Sequence, residues 1–152
     1  FMIDPVTAIA TATKSFAMIK AFVEAGKSAE DTFLQVSKWY SSASDILYLE
    51  RKASNPNPFK KVVFTKSVEA EAVELFAHKK KIEAQRKEIY DMINLAYGAQ
   101  GLSDLRQIKE GVIRDRQRQV YKQEELKETF LAGVLILIMI AILVATTLFI
   151  LT

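Results

Sequence analysis

The chain's single histidine, His78, sits in AHKKK, where the lysines that follow it repel a cation. A metal centre needs neutral imidazole with partner ligands, so His78 reads as a surface residue. Glu69, Glu71 and Glu74, and again Glu124, Glu125 and Glu128, place carboxylates close enough for acid–base work, but helix-dipole compensation and salt bridging account for both groups. Ser41, Ser42 and Ser44 have no neighbouring base to activate a hydroxyl. The absence of Cys excludes thiol catalysis, zinc–thiolate and iron–sulfur centres and disulfides, and no Gly-rich phosphate loop is present. The expectation is a non-enzymatic protein with no catalytic residue, no metal and no cofactor.

Phosphate-bearing partners suit the basic residues better. Arg51, Lys52, Lys60, Lys61 and Lys66 are interleaved with Phe59 and Phe64 and with no acid, and Lys79, Lys80, Lys81, Arg86 and Lys87 crowd a second stretch whose one acid is Glu83. Anionic lipid headgroups attract such side chains at ~1 kcal/mol each near a bilayer, whereas nucleic acid does so through counterion release. A solvated charged face is the plain alternative. With 21 Lys+Arg against 18 Asp+Glu, the net charge of +3 disfavours a dedicated nucleic-acid binder.

What must position these residues divides into two materials. Half of the 152 residues are hydrophobic, but they concentrate in FLAGVLILIMIAILVATTLFIL, residues 130–151, a run with no charge, Asn, Gln or Pro. As a helix it is about 33 Å long, the thickness of a bilayer core. The rest of the chain is too polar to wrap a helix that is apolar on every side, so lipid is its expected solvent, with Phe130, Leu135, Ile138, Ile142, Leu148 and Phe149 as anchoring side chains. Arg106, Lys109, Arg114, Arg116, Arg118, Lys122 and Lys127 precede the run and only Thr152 follows it, which predicts a tail-anchored protein with its N-terminal part in the cytoplasm. Gly133, Thr146 and Thr147 make no polar stripe, so the helix reads as an anchor more than as a pore lining.

Ahead of the anchor, helix signals follow one another. Asp4 before Pro5 predicts an N-cap and Gly26 a stop, giving a first helix over 5–25 with Ile9, Ala12, Phe16, Ile19 and Val23 on one side. Ser28 with Asp31 resembles a capping box for a second helix over 29–52, whose seam is Phe33, Val36, Tyr40, Ala43 and Leu47. The stretch SNPNPFKKVVFTK, 54–66, holds two of the three prolines and breaks the chain. Ser67 is expected to cap a third helix over 68–96, with Val68, Ala72, Leu75, Ile82, Ile89, Ile93 and Ala96 as its seam and Tyr97-Gly98 at its exit. Ser103 is expected to cap a fourth that runs on into the membrane, with 114–125 as a solvated stalk or intersubunit surface.

The fold class is therefore all-α: an N-terminal helical bundle of three helices plus a long fourth helix continuing into a single C-terminal transmembrane helix. Three regions are expected: a bundle over 1–102 with its break at 54–66, a charged stalk over 103–129 and an anchor over 130–152. Burial within one chain looks thin, so Phe33, Val36, Tyr40, Leu47, Leu75, Ile82 and Ile89 are candidates for self-association into a homo-oligomer.

MIDPVTAIATATK (2–14), SKWYSSASDI (37–46), KASNPNPFKKVVF (52–64), SVEAEA (67–72), KKKIEAQRKE (79–88), the Tyr97-Gly98 turn and RQRQVYKQEE (116–125) together resemble a group of small proteins encoded by tailed phages, especially marine ones. The resemblance spans nearly the whole chain. It implies a phage origin and a C-terminal anchor in the inner membrane of an infected bacterium, or carriage in the virion, and it brings no catalytic residue with it. Three roles compete: a self-associating membrane scaffold or virion component, which the seams favour, a holin-like or DNA-ejection pore, and a membrane adaptor that recruits a host or phage factor.

Overall fold

The computed structural model describes residues 3–55 and 65–151, with side-chain surroundings for 3–55 and 69–148. Every regular element among the described residues is helical: α1 (Pro5–Glu24), α2 (Ala29–Ser54), α3 (Thr65–Arg116), a π-helical turn (Gln117–Tyr121) and α4 (Lys122–Leu151). Met2–Arg116 form one compact unit and Gln117–Thr152 a second.

The helix starts follow from side-chain chemistry. Asp4 accepts from the backbone N–H groups of Val6 and Thr7 at 3.3 and 3.0 Å, occupying two of the donors that a helix N-terminus leaves open, with Pro5 at the first helical position. Ser28 Oγ accepts from Asp31 N–H at 3.3 Å to start α2. Between them Gly26 takes φ 65°, the left-handed conformation that ends α1. The expected caps at Ser67 and Ser103 do not form: both residues lie inside α3, which starts at Thr65 and passes through Ser103 as helix.

Gly98 interrupts α3 with φ 64° and ψ −155°, a backbone conformation open to glycine and closed to side chains with a Cβ. Three long-range pairs define the first limb of α3, 65–97, as antiparallel to α2. Thr32 meets Tyr97, Trp39 meets Gln85, and Glu50 meets Lys79. Beyond Gly98 the chain runs back: Arg116 reaches Asp45, so 99–116 travels in the same sense as α2. Lys20 donates to Glu88 at 2.7 Å and sets α1 beside the first limb. The unit is an up-and-down arrangement of four helical segments, and the expected three-helix bundle gains its fourth member from residues assigned to the stalk.

Its core joins all four. Ala8, Ala12 and Ile19 of α1, Phe33, Val36, Trp39, Tyr40, Ala43 and Ile46 of α2, Ile82, Ile89 and Ile93 of the first limb, and Leu105 of the second bury together, with Ile108 and Val112 packed against them. Small residues on the inner face of α1 let its backbone approach α2 closely, which is why an Ala-rich helix packs at all. Trp39, with no exposure, gives its indole N–H to Gln85 Oε1 at 3.0 Å, so the largest buried ring leaves no orphan donor.

Candidate functional site

α4 is the feature with the plainest physical consequence. It is long and apolar enough to cross a membrane, and from Phe130 to Leu148 its large side chains are exposed: Leu137 at 67%, Leu143 at 61% and Leu148 at 61%. The anchoring residues Phe130, Leu135, Ile138, Ile142 and Leu148 are all exposed, while the side chain of Phe149 lies outside the described ones. Its hydroxyls are spent on its own backbone. Thr146 donates to the Leu143 carbonyl at 2.9 Å, and Thr147 contacts the carbonyls of Leu143 and Val144 at 3.0 and 2.8 Å. Such internal bonding removes the cost of carrying threonine through hydrocarbon and leaves these two groups little to offer a lumen.

α1 also passes the length and composition criterion for a membrane span. It differs from α4 in that one face is already used: Ala8, Ala12, Ser15 and Ile19 are buried in the bundle. Lys20 lies across α1 toward Glu88, whose hydrogen bond and charge hold the ammonium above its ordinary pKa.

Among the described residues, the three consecutive lysines do not converge. Lys79, Lys80 and Lys81 are consecutive on a helix and so leave it about 100° apart, in three directions. Lys79 turns to Glu50, whose side chain is 11% exposed, at 3.3 Å. Lys80 lies 5.6 Å from the ring of Phe76 and 4.0 Å from Glu83. Lys81 is exposed, as is Arg51, while Lys52 rests over Tyr48 at 5.7 Å. Lys60 and Lys61 lie outside the described residues, and of Lys66 only the helical backbone is described. His78 is half-buried beside none of the elements of a metal site: no cluster of three ligating side chains occurs among the described residues.

The seam residues are accounted for within the chain. Phe33, Val36, Tyr40, Leu75, Ile82 and Ile89 are buried inside the single copy, and Leu47 is half-buried. In this conformation they serve intramolecular packing. Burial pushes the Tyr40 phenol above its ordinary pKa, with Arg86 opposing. The segment 114–125 is not solvated throughout: Arg116 pairs with Asp45, the helix widens to a π-turn over Gln117–Tyr121, and Val120 and Tyr121 are buried. One extra residue in that turn shifts the helical phase of the side chains that follow.

Sequence reasoning missed the polar residues that close this end of the bundle. Asp45 is buried on the apolar side of α2 and receives Arg116 at two points, Nε to Oδ1 at 2.9 Å and Nη2 to Oδ2. Glu50 takes Ser54 Oγ at 3.1 Å as well as Lys79. The available signal was polarity at seam positions: Asp45 beside Ile46, and Gln85 between Ile82 and Ile89. At the opposite end, Thr32 Oγ1 and Tyr97 OH lie 2.8 Å apart while also reaching the carbonyls of Ser28 and Lys27 at 3.1 and 3.0 Å. Two hydroxyl hydrogens serve three contacts, and the first limb is thereby tied to the α1–α2 turn. No protein-family model, curated protein or solved structure matches the chain.

Proposed function

We propose that this is a non-enzymatic, self-associating membrane scaffold or virion-associated structural protein of a tailed phage, held in the host inner membrane by residues 130–151. The observation that carries the reading is α4, whose apolar side chains are exposed and whose threonines bond to their own helix. Lipid is the solvent that such a surface matches. Seven Lys and Arg between Arg106 and Lys127 support a cytoplasmic placement of the N-terminal unit by the positive-inside rule. The spent Thr146 and Thr147 hydroxyls favour attachment over a narrow aqueous pore.

Self-association adds to a core that one copy can already close, and it is favoured by concentration of the anchored copies in two dimensions. Anionic headgroups remain the partners for Arg51, Lys52, Lys60, Lys61, Lys66, Lys80 and Lys81, with Lys79 withdrawn from that set by Glu50. Fractionation tests the anchor: the full chain sediments with membranes, and a version ended after Glu128 moves to the soluble fraction with its helical content intact. Equal partitioning of the two removes the membrane reading.

A further inference from the structure

From the one-residue break at Gly98, we infer that copies of this chain exchange the limb 99–116, each seating its Arg116 on the Asp45 of another copy. The inference rests on the self-association proposed above and names its means.

Two long helical limbs are separated by a single non-helical residue, and no proline occurs anywhere from 65 to 116. Glycine reaches φ 64°, ψ −155° and the right-handed helical region alike, so the closed hairpin and a form opened at Gly98 are both within reach of one residue's torsions. Nothing lies within 4 Å of a Cβ built on Gly98, so a side chain there meets no clash and a substitution acts through the torsions alone. The second limb is helical to its start, where Gln100 donates to Asp104 at 3.0 Å.

The contacts that hold the limb transfer without loss. Leu105 fills the core, Ile108 and Val112 pack on it, and Arg116 closes it with the two-point grip on Asp45. Each can be made equally well by a neighbour's limb, because exchange replaces an element by an identical one. Closed and exchanged forms therefore differ in the torsions of one glycine and in the entropy of association. Anchoring in a bilayer lowers that entropy cost by raising effective concentration.

The absence of Cys makes the test clean. Two differently tagged full-length copies are co-produced, one carrying Asp45→Cys and the other Arg116→Cys, and treated in detergent with a short bis-maleimide that spans the gap the arginine side chain filled. Exchange yields a thioether cross-link between the two tags. Because these variants remove the ion pair, Arg116→Lys is used in parallel: carbodiimide joins Asp45 to the introduced amine, and the joined peptide is recovered from the dimer-size band, while the Lys79–Glu50 link reports from the monomer-size band as a control. Gly98→Ala, which cannot hold the closed torsions cheaply, raises the dimer-to-monomer ratio at least about tenfold.

Recovery of the Asp45 linkage only from monomer-size protein, in a sample whose light scattering shows an oligomer, overturns the exchange and leaves self-association standing. A monomeric mass overturns both. A Gly98→Ala variant that loses stability with no gain of dimer also counts against exchange.

Discussion

The guanidinium of Arg116 grips the carboxylate of Asp45 at two points across 71 residues of sequence, at the last residue of α3 before the π-turn. Asp45 is the more buried partner, its side chain 8% exposed against 22% for Arg116. Removing the arginine takes two charge-assisted hydrogen bonds from a buried anion, whereas removing the carboxylate leaves a guanidinium with a path to water. Arg116→Ala is therefore expected to cost about 3 kcal/mol, and Asp45→Asn less, in urea unfolding of the detergent-solubilised chain. Equal, near-zero losses mean that the pair is ornamental.

Trp39 reports on the core by itself, being the one tryptophan and fully enclosed. Gln85→Leu leaves its indole N–H with no acceptor and is expected to destabilise by about 1–3 kcal/mol, followed by the blue-shifted Trp emission that reddens on unfolding. Unchanged stability would show that the indole finds another acceptor or water.

Two glycines in the second limb give opposite expectations. A Cβ on Gly101 meets Tyr97 Cβ at 2.5 Å, so Gly101→Ala forces the turn apart and costs about 1–3 kcal/mol. Gly111 has nothing within 4 Å of its Cβ position, and Gly111→Ala in a helix interior should stabilise by about 0.5–1 kcal/mol. Thermal melts of the two variants check the sign of each.

Asp4 gives a pH signature. Hydrogen bonds from the Thr7 side chain and backbone hold its carboxyl below the ordinary value of 3.8. A depressed folded-state pKa means that the cap's contribution is present above 3.8 and is lost as pH falls through the lower folded value. Acid titration followed by amide exchange at Thr7 and Ala8 should show the first turn of α1 opening there, and Asp4→Asn should flatten that dependence. A titration midpoint at or above 3.8 contradicts the cap.

Local chemistry made much of the fold legible. A carboxylate before Pro5, a serine three residues before Asp31 and glycines at 26 and 98 mark ends that backbone donors and left-handed torsions require wherever the chain goes. The apolar period showed which face of α2 and of 65–97 turns inward, and a stretch apolar on every side needs no neighbour to be read as a span. Ser67 and Ser103 misled for the same reason: capping chemistry is compatible with a serine that the helix simply passes through.

Periodicity specifies a face and leaves its occupant open. Whether Phe33, Val36 and Ile89 would meet another copy or their own chain depended on 99–116 turning back at Gly98, which supplied the fourth wall of the core. Asp45 with Arg116, Glu50 with Lys79 and Trp39 with Gln85 pair across 71, 29 and 46 residues. No local pattern encodes those partnerships, because the distance between such side chains is set by how the helices dock. The sequence by itself determined where helices begin, which sides are apolar and which segment suits lipid. Only the tertiary structure decided which charges are spent inside the bundle and which still face outward.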